Sequence, residues 1–258
     1  MYKEHCKNLQ KINTSIQEVE DTIKYSIKTQ NTQAIILHTN IHTFLIGAWI
    51  EVSLYKLIHE QKFDDNDRNF ILRTKTKSSE DSKDTSLENK WINVLNLAFA
   101  RAFSIEIDDS NFKSTYIKKL LKRTQQHRYQ DILNFVNEDI NQVVRMRNKI
   151  AHGQWHFTFD NKVTRLEPDV QQLIHSNNYF KSRERLETVK VIIEMIQKIA
   201  MSPTSFDRDF DNLYSKITTI PPRYTKGKYK ENEKILIEKH KRAEYWRKIN
   251  YQKGLITS

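Results

Sequence analysis

The sequence predicts an all-α protein: an up-and-down helical bundle with a small β-hairpin late in the chain and a basic helical tail. Three observations carry that expectation. Only four Gly and four Pro occur among 258 residues, well under the roughly 7% and 5% of an average globular chain. Charged residues make up 29%, enough to coat the outer faces of many helices. Finally, long breaker-free segments repeat apolar residues every three or four positions, the period of a helix that lays one face on a core.

The elements follow in order. Residues 3–30 place Ile12, Ile16, Val19, Ile23 and Ile27 on one stripe and predict an amphipathic first helix. Gln33 to Glu60 is richer, with Ile36, Ile41, Phe44, Leu45, Ala48, Trp49, Val52, Tyr55 and Leu57 or Ile58 covering a wide face, so a long central helix is expected. The run TKTKSSEDSKDTS at 74–86 has no apolar side chain to offset the entropy of ordering, and reads as a loop. Ser86 is placed to cap the next helix, in which Leu87, Trp91, Val94, Leu95, Ala98, Phe99 and Ala102 keep the helical period. After the acidic connection IEIDDSNF, Tyr116, Ile117, Leu120 and Leu121 mark a short amphipathic piece, which KRTQQHR either continues or bends. A stronger helix then carries Tyr129, Ile132, Leu133, Val136, Ile140, Val143 and Val144, reaches Arg147 and ends near Gly153.

Past Gly153 the period changes from 3.6 to 2. Trp155, Phe157 and Phe159 alternate with His156, Thr158 and Asp160, and Asp160-Asn161 is turn-forming, so a hairpin is expected over about 154–166. A last core helix, Arg183 to Met201, carries Leu186, Val189, Ile192, Ile193, Ile196 and Ile199 and is stopped by Pro203. Residues 221–258 hold eleven Lys or Arg against four Glu, a net of +7 out of +11 for the whole chain. The expected organisation is therefore a helical domain over 1–220 and a basic tail over 221–258, with no internal repeat.

Composition also excludes several chemistries. The glycines Gly47, Gly153, Gly227 and Gly254 are too scattered to build a Walker motif, a Rossmann fingerprint or another Gly-rich phosphate loop. Cys6 is the only cysteine, so there is no intrachain disulfide and no multi-cysteine zinc or iron–sulfur site; a reducing compartment fits. The opening MYKEHCKNLQK lacks the apolar region of a signal peptide, and the apolar run from Phe44 to Ile50 is bounded by His42 and Glu51. A cytoplasmic protein without a membrane partner is expected.

The most informative stretch is Arg145-Met146-Arg147-Asn148-Lys149-Ile150-Ala151-His152-Gly153. Arg147 lies four residues past Val143 and seven past Ile140, which sets a guanidinium on the apolar face of its helix. A charge there needs a partner or a purpose. Asn148 and His152 share a face at i, i+4, while Arg147 and His152 stand about 140° apart on an ideal helix and converge only where the helix distorts or ends. The composition predicts only about 0.04 chance occurrences of Arg-Asn-x-x-x-His in the chain.

Arg147-Asn148-x-x-x-His152 resembles the R-N-x-x-x-H signature of the HEPN superfamily, compact α-helical domains of RNases from toxin–antitoxin, abortive-infection and CRISPR systems. The likeness extends to the setting: the motif closes a long amphipathic helix in a chain poor in Gly and Pro, and another apolar helix follows. It covers about residues 33–201 and does not account for the hairpin or the tail. Arg145, six residues before His152, fits the looser family spacing, but Arg147 is preferred because Asn follows it directly. The resemblance implies metal-independent RNA cleavage without a cofactor, in which the ribose 2′-OH attacks the adjacent phosphate. It also implies a homodimer with a composite cleft, since one histidine does not readily serve as acid and base on both sides of phosphorus. A phage-defence or toxin effector, with an antitoxin or regulatory partner, is the biological setting that the resemblance suggests. The residue types suit such chemistry: histidine ordinarily titrates near pH 6.5, arginine can grip two phosphate oxygens, and asparagine orients without titrating.

A structural role remains open, with Arg147 paired to a core carboxylate and His152 packed at a helix end. His38 and His42 have the i, i+4 spacing of a zinc helix, but no third ligand is evident, and partly buried helix histidines are the preferred reading. His156 is a candidate for the edge of the cleft. In the tail, Lys241, Arg242, Trp246 and Arg247 interleave cations with aromatics, as a contact to unpaired RNA would need. The alternative is a solvated helix whose Ile235, Leu236, Ala243 and Trp246 pack on the body. Two rival functions stay in view, a catalytically silent HEPN-like module that binds a partner and a basic RNA-binding protein that does not cut.

Overall fold

The computed structural model describes residues 1–72, 86–107, 112–223 and 226–252. Among them the regular structure is helical throughout, which meets the all-α expectation. In order the elements are α1 (Tyr2–Lys28), α2 (Thr32–Ile58), α3 (Asp65–Leu72), α4 (Leu87–Ala102), α5 (Ser114–Leu120), α6 (Arg123–Phe135), a π-turn (Val136–Ile140), α7 (Asn141–Ala151), α8 (Pro168–His175), α9 (Tyr179–Met201), α10 (Pro203–Arg223) and α11 (Lys226–Gln252).

Helices α1 and α2 form a hairpin. Gln30 turns the chain with φ +58, and the Asn31 side chain then caps α2 by accepting the Ala34 N–H at 3.1 Å. α2 is apolar on most sides because α1, α7 and α9 all pack on it. By length and composition it could cross a membrane, and more than half of its most apolar stretch is buried against neighbouring helices. Ile46, Ile50, Leu54 and Ile58 join Trp91, Val94 and Phe99 of α4 and Val189, Ile192 and Ile196 of α9 in one main core. Ile36 and Leu37, near the start of α2, are exposed, so the apolar face begins later than the sequence pattern suggests.

Several expected boundaries shift for identifiable reasons. Ser86 caps α4, accepting the Asn89 N–H at 3.2 Å, while the loop expected before it lies almost wholly outside the described residues. The piece around Tyr116 does not run on into the long helix: Leu121 adopts an extended conformation (ψ 151°) between α5 and α6. Between α6 and α7 the helix continues through a π-turn. The apolar positions 132, 136 and 140 are four apart twice over, which would drift them by about 80° on an ideal α-helix. The wider turn keeps Ile132, Val136 and Ile140 all buried. α9 starts four residues before the expected Arg183, capped by the Asn178 side chain on the Lys181 N–H. Pro203 ends α9 as expected and also opens α10, an element the sequence pattern did not reveal.

The β-hairpin over 154–166 is not formed. Its residues make turns and bends around a single antiparallel bridge, Phe159 to Leu166. Pairing runs out on both sides. Toward the start, the Trp155 indole donates to the Ile150 carbonyl at 2.8 Å, which ties that arm to the end of α7. Toward the end, Glu167 is followed at once by Pro168, which lacks an N–H and begins α8. An isolated two-stranded ribbon is marginal in water, and Trp155, Phe157 and Leu166 remain exposed rather than packed.

Candidate active site

The Arg-Asn-x-x-x-His stretch forms the last two turns of α7. Gly153, with φ +73, takes the left-handed conformation that stops the helix. Its N–H donates to Ile150 and that of Gln154 to Lys149, at 3.1 and 2.9 Å, the paired bonds of a Schellman terminus. His152 is consequently the C-cap residue (φ −91°, ψ 15°), with an exposed side chain beyond the last full turn.

Arg147 leaves α7 toward α2. Its stem crosses α2 at Gly47, where a Cβ would overlap Arg147 Cγ and lie 2.6 Å from its Cβ, so only glycine leaves room for it. The guanidinium sits near the Phe44 ring, 5.9 Å from the centroid. It donates from Nη2 to Glu51 Oε2 at 2.5 Å and from Nη1 to Asn148 Oδ1 at 3.0 Å. Glu51 stands one helical turn past Gly47, so one face of α2 supplies both the slot and the counter-charge. The structure thus joins Arg147 and Asn148 by a side-chain hydrogen bond, whereas His152 meets Asn148 only through the backbone, its N–H donating to the Asn148 carbonyl at 3.2 Å. Asn148 is exposed, and with Oδ1 engaged its amide N–H groups remain as donors. Two of the five guanidinium N–H donors are committed, and among the described residues the buried Nε has no hydrogen-bond partner.

Lys149 fixes the loop after the motif. Almost fully buried, it pairs with Glu167 at 2.7 Å and donates to the Phe159 carbonyl. The Asp160 carboxylate accepts the Thr164 N–H at 2.8 Å and its hydroxyl at 3.0 Å, and these bonds hold that carboxyl below the usual carboxylate range. Arg145 is turned elsewhere: it donates to Asp169, in the first turn of α8, at 2.5 Å, and lowers the pKa of that carboxyl. It braces α8 against α7. His156 is exposed and lies against Phe157 and the His175 ring, with centroids 4.5 and 5.3 Å away. Sequence reasoning missed Gly47, Glu51 and His175. The first two had a signal, a glycine and an acid at i, i+4 inside the most apolar helix of the chain.

The His38/His42 pair does not face a common site. His42 is fully buried, with Nδ1 2.7 Å from Ser182 Oγ and Nε2 3.4 Å from Glu20 Oε1. Burial pushes the Glu20 carboxyl up, but His42, Arg183 and Lys24 outweigh it and leave Glu20 below the ordinary carboxylate range. Although serine, histidine and glutamate are aligned, Ser182 is also fully buried and its Oγ meets Thr43 Oγ1 at 3.2 Å, so no substrate reaches it. This chain of polar groups ties α1, α2 and α9 together.

In the tail, α11 is anchored by Tyr229, whose ring stacks on Phe180 (centroids 5.8 Å apart, planes 11°) and whose hydroxyl donates to Glu184 at 2.9 Å. Leu236 packs near this anchor, whereas Ile235, Ala243 and Trp246 are exposed. Lys241, Arg242, Trp246 and Arg247 therefore lie apart from the core of the bundle. No family model, no curated protein and no solved structure matches the chain.

Proposed function

We propose that the protein is a metal-independent, cofactor-free endoribonuclease of HEPN type, acting through Arg147, Asn148 and His152. The observation that carries the reading is the end of α7: an exposed histidine one turn after an asparagine whose oxygen is held by an arginine with donors to spare. In the proposed reaction a base takes the proton of the ribose 2′-OH, its oxygen bonds to the adjacent phosphorus, and the 5′ oxygen leaves with a proton from an acid. The products are a 2′,3′-cyclic phosphate and a 5′-hydroxyl. His152 serves as acid or base. Arg147 turns its free N–H groups to the non-bridging oxygens, where charge builds up in the transition state. Asn148 donates its amide N–H to the phosphate or to His152.

The second proton-transfer group comes from another copy of the chain. A two-fold dimer supplies it, with the end of α7 at the interface and the exposed Trp155, Phe157 and Leu166 beside it as apolar surface to bury. Excess chains carrying both Arg147→Ala and His152→Ala, mixed with wild type and allowed to exchange, then lower activity faster than the wild-type fraction falls. Strict proportionality shows that each chain cuts alone. A cytoplasmic effector of phage defence or of a toxin system, restrained by an antitoxin or regulatory partner, is the setting we propose.

A second reading draws on the Arg147–Glu51 pair: a guanidinium already held by a carboxylate also suits a silent HEPN-like module that binds RNA or a partner without cutting. Incubation with end-labelled RNA in EDTA separates the two. Cleavage with cyclic phosphate ends supports the nuclease; intact RNA, or products ending in 3′-hydroxyl, contradicts it.

A further inference from the structure

α11 divides into a docked half and a free half. Its inward stripe begins at Tyr229 and continues through Asn232, Glu233, Leu236, Ile237 and His240, all buried or half-buried. The same stripe would next reach Ala243, Glu244 and Arg247, but every residue from Lys241 to Lys248 is exposed. The helix therefore leaves its docking stripe after His240 and presents Lys241 to Lys248 to solvent, before Ile249 and Asn250 become half-buried. Trp246 lies seventeen residues past the Tyr229 anchor, about 26 Å along the axis.

The composition of the free half is selective. From Lys239 to Gln252 five cations accompany one acid, Glu244. Among the described residues, Lys241, Arg242, Arg247 and Lys248 have no ion pair and no side-chain hydrogen bond. Tyr245 and Trp246 are each about 60% exposed and touch edge to face, 5.7 Å between centroids. On an ideal helix Lys241, Arg242, Tyr245, Trp246 and Lys248 fall within about 160° of one another, on the side opposite the docking stripe, with Arg247 outside that arc. Cations and rings at i, i+3 and i+4 are thus neighbours about 5–6 Å apart. A helix that lies in a membrane interface separates a broad apolar face from a charged one. Here the two kinds of side chain alternate on one face, as recognition of phosphates and of unstacked bases requires.

We propose that the far half of α11 is an arm that binds single-stranded nucleic acid, with Tyr245 and Trp246 stacking on bases and Lys241, Arg242 and Lys248 neutralising phosphates. The proposal rests on the cleavage reading only in taking RNA as the first probe.

Binding is read by fluorescence anisotropy with a labelled unstructured oligoribonucleotide on the full-length His152→Ala chain, so the result does not depend on cleavage. Tyr245→Ala with Trp246→Ala keeps every charge and is expected to weaken binding roughly tenfold or more. Lys241→Gln with Arg242→Gln is expected to reduce the slope of log affinity against log salt by about 1.4. Equal affinity for DNA of the same sequence supports the proposal, since phosphates and base faces are shared. Binding unchanged by the aromatic double substitution overturns it, as does equal or tighter binding to duplex RNA or to anionic phosphatidylserine vesicles. Circular dichroism of the variants checks that α11 still forms.

Discussion

Two histidines on helices show how differently this chain uses one residue type. His42 lies in the middle of α2 with no exposed surface, bonded to Ser182 and close to Glu20. His152 caps α7, exposed and, among the described residues, without a side-chain hydrogen bond. The better-ordered constellation, serine to histidine to glutamate, is the structural one, because a fully buried hydroxyl has no route to substrate. The sparser one can do chemistry, because an acid or base must exchange protons with a bound molecule. A close set of polar neighbours therefore does not by itself mark a reactive group; access to a bound molecule is needed as well.

The largest effect expected from breaking this contrast is on stability. His42→Ala removes a buried ring, opens a cavity between α1, α2 and α9 and takes one polar neighbour from Ser182 and from Glu20, which costs about 3 kcal/mol in urea unfolding. A variant as stable as wild type would show that the network is incidental. Next comes Gly47→Ala. Its Cβ displaces the Arg147 stem, so the account expects cleavage to fall about a hundredfold while overpacking costs roughly 1–3 kcal/mol. Retained cleavage would mean that the Arg147 position in this slot is not the working one.

A third test is made at the π-turn. Burial, with Glu138 and Glu184 beside it and Arg185 opposing, pushes Asp139 up to about 6. A raised folded-state value favours the protonated acid, so this stabilisation is fully present below the ordinary value of 3.8 and is lost as pH rises through about 6. Asp139→Asn should flatten the stability profile over that window and raise stability at pH 7 by up to about 3 kcal/mol. An unchanged slope between pH 4 and 6 would contradict it. The smallest effect is expected at Arg145, whose ion pair with Asp169 is exposed. Arg145→Ala should change stability by about 0.5 kcal/mol or less and leave cleavage within about threefold. A loss matching that of Arg147→Ala would move the catalytic arginine to Arg145.

Much of the bundle was legible because its helices are long and their apolar spacing is regular: α1, α2, α4 and α9 follow from the spacing of their aliphatic and aromatic residues. The short α3 and α8 carry too few apolar positions to show a period. α10 was hidden by reading Pro203 only as a stop, although proline suits a first helical turn equally well. The alternation of Trp155, Phe157 and Phe159 misled because a period of two needs a partner strand and a packed face, and this segment has one bridge and exposed rings. At the candidate site, Arg147, Asn148 and His152 lie within six residues and could be read directly. Gly47 and Glu51 lie about a hundred residues away, and only folding brings them beneath the arginine.

The central claim is that the exposed histidine at the end of α7 transfers a proton during RNA cleavage. Its most direct test compares wild type with His152→Ala, at equal concentration in EDTA, by the initial rate of cleavage of a labelled single-stranded RNA alongside their melting curves. The account predicts a rate lower by about 10²–10⁴ with superimposable melting, since the His152 side chain is exposed at the helix end. A His152→Ala chain that melts like wild type and cleaves at the wild-type rate would contradict it.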